Sequence, residues 1–134
     1  MNEDIVGKVV GWIRKADGDL EMARLALAND IYDYSLFHSQ QAVEKYLKAF
    51  LTYHNRPFGK THNIALLIEL CKEFDASFDV LFEVGADKLY PRGIEVRYPV
   101  PYTVSREDAV EALGIAERVR GFVLGRLGML MSEG

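Results

Sequence analysis

The sequence predicts an all-α fold, a five-helix antiparallel (up-down) bundle, and three observations carry that prediction. Apolar residues recur at three- and four-residue steps through most of the chain, the period of a helix with one buried face. Prolines stand only at Pro57, Pro91, Pro99 and Pro101, which leaves long stretches where every backbone N–H can join a helical ladder. No Asn-Gly or Asp-Gly pair sits between alternating apolar runs as a hairpin requires. The one Asp-Gly, Asp17-Gly18, lies inside a helical pattern.

Trp12, Ala16, Leu20, Ala23 and Leu27 share one face, so a first helix is expected from about Gly7 to Ala28, punctuated by Asn29-Asp30. A second runs from Tyr32 to Tyr53, with Leu36, Val43, Leu47, Phe50 and Leu51 on its buried side. Pro57 and Gly59 end that run. Thr61 has the position of an N-cap for a third helix, through Ile64, Leu67, Ile68 and Cys71 to Phe74. A fourth is expected over Ser77 to Leu89. Between Tyr90 and Tyr102 three prolines argue against any helix. Ser105-Arg-Glu-Asp108 then has the form of a capping box, with Asp for the usual Glu or Gln, and opens the last helix. Ala109, Leu113, Ala116, Val119, Val123 and Leu127 line its inner face. Short connections favour antiparallel neighbours.

Composition narrows the class. At 134 residues, 49% hydrophobic and 27% charged, the chain has the size and apolar content of one folded domain, expected over residues 1–134. No apolar run approaches the ~20 residues that span a bilayer. The acidic start, Met1-Asn-Glu-Asp4, does not have the form of a signal peptide. One cysteine, Cys71, excludes an internal disulfide and a multi-cysteine zinc site. These features place the protein in the cytoplasm, away from membranes, with no cofactor implied. A net charge of −4 disfavours grip on an extended DNA track, while leaving room for a local basic patch.

Such a patch lies between Asp87 and Arg106, where Lys88, Arg92, Arg97 and Arg106 outweigh Asp87 and Glu95 by two charges. Tyr90, Tyr98 and Tyr102 are interleaved, which suits a base stacked on a ring with its phosphate at an arginine. The same mixture also describes a proline-rich loop packed by its own tyrosines. On the second helix His38, Gln41 and Lys45 form one stripe, and Gln40, Glu44 and Lys48 another. They read either as the polar wall of a nucleotide pocket or as a solvated face with a Glu44–Lys48 pair. His38, His54 and His62 show no metal-ligand spacing. Gly114, Gly121, Gly125 and Gly128 on the last helix read either as tight packing within one copy or as the seam of a homodimer.

The run Ser39-Gln-Gln-Ala-Val-Glu-Lys-Tyr-Leu-Lys-Ala-Phe-Leu51, followed by Thr61-His-Asn-Ile-Ala-Leu-Leu67 and Glu95-Val-Arg-Tyr-Pro99, resembles the HEPN domain family in order and spacing. The resemblance covers nearly the whole chain. It implies a four- to five-helix bundle, commonly dimeric, that binds a nucleotide or single-stranded RNA. It also implies a minimal nucleotidyltransferase as partner in a toxin–antitoxin-type pair. One branch of the family cleaves RNA without metal, using an arginine followed four to six residues later by a histidine. There arginine would hold the phosphate bidentately and histidine would move the proton. Arg97 occupies the arginine position, but Tyr102 stands where histidine belongs, and a phenol that titrates near pH 10 is a poor base at neutrality. Arg56 and His62 repeat the spacing before the third helix instead of the last. The resemblance therefore implies Arg97, Tyr102 and His62 as catalytic candidates, and Arg97, Tyr98, Arg92, Gln41, Lys45 and His38 as nucleotide or RNA contacts. Its alternatives are a metal-independent endoribonuclease and a non-catalytic helical dimer or adaptor.

Overall fold

In the computed structural model, residues 3–133 are described, so Met1, Asn2 and Gly134 of the expected domain lie outside the described residues. The helices are α1 (Glu3–Ala28), α2 (Tyr32–Tyr53), α3 (Ile64–Lys72), α4 (Val80–Val84), α5 (Arg92–Glu95) and α6 (Arg106–Glu133). No strand occurs among the described residues. The all-α bundle expected from periodicity is the observed architecture.

Helix α1 begins at Glu3, earlier than its apolar pattern indicates, and its first turn carries Glu3 and Asp4, which suit the positive end of the helix dipole. Val9, Ala16, Leu20 and Ala23 are buried at helical steps. Asp30 takes a left-handed conformation (φ 60°), which Asp tolerates better than most residues, and reverses the chain into α2. The two helices run antiparallel, and the Ser35 hydroxyl donates to the Ala23 carbonyl at 2.8 Å. Helix α2 is the centre of the molecule, packed on α1, α3, α5 and α6. Its lower half meets a ring cluster in which Phe50 lies 4.3 Å from Phe78, and Phe78 4.9 Å from Phe122.

Helix α6 pairs Arg120 with Asp17 and Arg24 with Glu117, so it runs antiparallel to α1 and alongside α2 in the same sense. The long segment 54–105 makes that return possible. At its start the capping box closes as read from sequence. The Asp108 N–H donates to Ser105 Oγ (3.1 Å) and the Ser105 N–H donates to Asp108 Oδ2 (3.0 Å).

Four local expectations are corrected. Asn63, not Thr61, caps α3: its Oδ1 accepts from the Leu66 N–H, while Thr61 Oγ1 accepts from the Asn63 N–H and closes the turn before it. The expected fourth helix breaks into a 3-10 turn (Ala76–Asp79), α4 and a second 3-10 turn (Ala86–Leu89), because Gly85 takes φ +86° and ends the α-helical ladder. The proline-rich stretch does hold a helix, the one-turn α5, since Pro91 precedes its first residue and Pro99 follows its last. The glycines of α6 are not packed tightly within this copy. A Cβ added at Gly114, Gly121, Gly125 or Gly128 would meet nothing within 4 Å.

Candidate functional site

Helix α2 is nearly enclosed: α1 covers one flank and the segment 90–105 folds across another. The strip left partly open carries Phe37, His38, Gln41 and Lys45. The close seat of α5 depends on Gly93, which lies directly against the Gln40 side chain. From there the chain delivers Arg97 onto α2. Its guanidinium sits 4.4 Å from the Phe37 ring centroid and 5.5 Å from that of Tyr98. Arg97 is exposed and has no carboxylate partner among the described residues. The ring contacts hold the guanidinium in place, and its exposure leaves it accessible to a bidentate acceptor such as phosphate.

Further along the strip, Lys45 Nζ donates to Asp19 Oδ2 and His38 Nδ1 lies 2.9 Å from Asp19 Oδ1. Both side chains are thereby tied to α1, leaving Gln41 between them as the open polar group of this turn. Behind it the buried Gln40 and Glu44 are bonded to each other and to an exposed His62. The His62 Nδ1 lies 3.1 Å from both oxygens of Glu44, and Gln40 Nε2 donates to Glu44 Oε1 at 3.2 Å. Gln40 and Glu44 are at most 1% exposed and Lys48 8%, which overturns the reading of this stripe as a solvated face. No Glu44–Lys48 salt bridge forms among the described residues; the Lys48 ammonium lies over the rings of Trp12 and Phe58 instead. Burial pushes the Glu44 carboxyl above its ordinary value, partly opposed by His62 and Gln40. Burial also lowers the Lys48 pKa.

Arg92 and Tyr102 belong to a different neighbourhood. Arg92 donates to Asp108 at 2.9 Å and its guanidinium lies 5.7 Å from the Tyr102 ring. Hydrogen bonds from Ser105 and Arg92 hold the Asp108 carboxyl down to about 2. Tyr98 and Tyr102, with Tyr32, Asp30 and Asp33, line a cleft of about 360 Å³ beside this cap. No contact between any two of the three catalytic candidates is made among the described residues. Arg97 is anchored at Phe37, His62 at Glu44 about 10 Å along the α2 axis, and Tyr102 at Arg92.

His54 stacks on Phe74 (4.2 Å between ring centroids), apart from His38 and His62, and among the described residues no three metal-ligating side chains come together. Cys71 is fully buried, its Sγ 3.8 Å from the Leu47 carbonyl, and burial raises its pKa. Sequence reasoning missed Phe37 as the platform for Arg97, Asp19 as the tether of Lys45 and His38, and Gly93 as the contact that seats α5. Only Gly93 left a sequence signal, a glycine within a proline-flanked turn.

The bundle and this arrangement define a class, and the chain belongs to the HEPN domain family, whose match covers residues 9–127. It is 30% identical over 123 residues to the protein named "Putative toxin MJ1304" of Methanocaldococcus jannaschii, with 81% of this chain and 80% of that protein covered. It is also similar to the crystal structure of ST0689, an archaeal HEPN homologue, at 28% identity and a TM-score of 0.66. That match covers 88% of this chain and 96% of the other. No helix among the described residues is long and apolar enough to cross a membrane.

Proposed function

We propose that this HEPN-family chain binds a nucleotide or a short single-stranded RNA at Arg97, and that it works as one half of a toxin–antitoxin-type pair whose other half is a minimal nucleotidyltransferase. The observation that carries the binding reading is the Arg97 guanidinium, 4.4 Å from the Phe37 ring centroid, exposed, and unpaired by any carboxylate among the described residues. A structural arginine at such a position would be expected to hold an acid, as Arg92 and Arg120 do. Similarity to a protein named as a toxin supports the pairing, and the open glycine face of α6 supports a second copy of the chain as a further partner.

The ribonuclease alternative needs a proton-transfer group beside the phosphate held by Arg97. Within one copy neither His62 nor Tyr102 is anchored there, which favours binding over cleavage. The test is a labelled single-stranded RNA, followed for binding and for cleavage in excess EDTA, with wild type and Arg97→Ala. Binding lost in the variant without cleavage by either protein supports this reading. Chelator-resistant cleavage that disappears with Arg97 replaces it by the ribonuclease. Equal binding by both proteins removes Arg97 from the site.

A further inference from the structure

Lys48 is a buried cation that forms no salt bridge among the described residues. It is 8% exposed, and its ammonium lies 5.6 Å from the Trp12 ring centroid and 5.5 Å from that of Phe58. No salt bridge or hydrogen bond to that ammonium is made among the described residues. Of its charged neighbours, Glu44 is engaged by His62, and Lys45 by Asp19. The two rings hold each other edge-on at 5.9 Å, so the indole is rigidly placed.

The outer surface at Trp12 is equally specific. Lys8 and Lys15, four residues before and three after, project on the same face of α1 and with Gly11 and Trp12 line a shallow concavity of about 340 Å³. A Cβ on Gly11 would meet nothing within 4 Å, so this surface is open in a chain whose net charge is −4. Three ammonium groups around one half-buried indole are the elements of a single-strand contact: a ring for the base and cations for the phosphates. An anionic lipid surface would call for apolar side chains that protrude, whereas Trp12 is half-buried and packed edge-on against Phe58.

We propose that Trp12, Lys8 and Lys15 form a second nucleotide position, which stacks a base of single-stranded RNA on the indole and takes its phosphates at the two exposed lysines, with the buried Lys48 ammonium adding positive charge behind the ring. This rests on the reading of the chain as an RNA binder. Lys48, behind this position, lies on α2 eleven residues from Phe37, about 16 Å along the axis. With roughly 3.4 Å per stacked nucleotide step, a mononucleotide reaches one position only and a strand of about five or more reaches both.

Trp12 is the one tryptophan of the chain, so its fluorescence reports this position directly. Wild type, Lys8→Glu/Lys15→Glu and Arg97→Ala are titrated with AMP, with a labelled oligoadenylate dodecamer and with phosphatidylserine vesicles. Dodecamer binding is followed in parallel by anisotropy. The dodecamer and AMP should quench Trp12 in wild type, and AMP should still do so in Arg97→Ala. The double lysine variant should bind the dodecamer roughly tenfold more weakly, with a salt slope shallower by about 1.4. Dodecamer binding that depends on Arg97 while Trp12 emission stays unchanged overturns this position and leaves the Arg97 reading intact. Quenching by vesicles alone assigns the face to lipid and overturns it. Absence of dodecamer binding by anisotropy overturns both readings.

Discussion

A Cβ on Gly93 would lie 2.3 Å from the amide oxygen of Gln40 and 2.7 Å from its Cβ, so α5 rests on α2 with no space for a side chain. The Gln40 amide can rotate, but its Cβ is fixed to the α2 backbone. Gly93→Ala therefore has to lift α5. Overpacking of this kind costs about 1–3 kcal/mol, more than the gain of under 1 kcal/mol that alanine brings to a helix. Urea unfolding should show a net loss of about 1–2 kcal/mol. RNA affinity at a denaturant-free, fully folded concentration should also fall, because Arg97 follows α5 onto Phe37.

The buried Glu44 sets a pH dependence. Its folded-state pKa is raised above the ordinary 4.5, so the protonated form is favoured by folding. Its contribution is fully present below about 4.5 and is lost as pH rises through the raised folded value. Glu44→Gln keeps the shape and removes this titration. The stability of the variant relative to wild type should therefore increase as urea melts are repeated from pH 4.5 toward 7. A difference independent of pH across that range would show that Glu44 does not titrate on folding.

The contrast between these residues explains what the sequence discloses. Ser105 and Asp108 were legible because a capping box is closed within four residues by the chain's own geometry. The choice of Asn63 over Thr61 was not, since both side chains can cap and only the turn's path decides between them. A helical period says which residues share a stripe of α2, and it correctly joined His38, Gln41 and Lys45. It cannot say what covers each stripe. Gln40, Glu44 and Lys48 look solvated until the segments carrying Gly93, His62 and Phe58 fold over them. Phe37 reads as one more apolar residue until Arg97, sixty residues later, is laid on it.

The α6 cap offers a test in the acid range. Asp108 has its pKa held at about 2, below the ordinary 3.8, so its contribution is present above 3.8 and disappears as pH falls toward 2. Asp108→Asn should flatten the acid limb of thermal stability between pH 4 and 2. Ser105→Ala removes the reciprocal bond and should cost about 1 kcal/mol at neutral pH. Arg92 loses its partner in the first variant only, so only Asp108→Asn should also loosen the Tyr102 side of the neighbouring cleft, seen as faster hydrogen exchange over 98–104.

Phe37 and Arg97 should act as a unit in binding while differing in stability. Arg97 is exposed and unpaired by a carboxylate, so Arg97→Ala should change the unfolding free energy by less than about 0.5 kcal/mol. Its effect on RNA should be larger, roughly tenfold, with a salt slope shallower by about 0.7 for one lost phosphate contact. Arg97→Lys should restore the slope without the affinity, because an ammonium supplies charge without the planar pair of donors. Phe37→Leu removes the platform and leaves the guanidinium free to rotate. An exposed cation–π contact is worth about 0.5–1 kcal/mol, so affinity should fall by about two- to fivefold with the salt slope unchanged. The double variant Phe37→Leu/Arg97→Ala should bind no more weakly than Arg97→Ala alone, since the ring matters only through the arginine it orients. Strict additivity in that cycle would show that Phe37 meets RNA by itself and that the stack is not the positioning device.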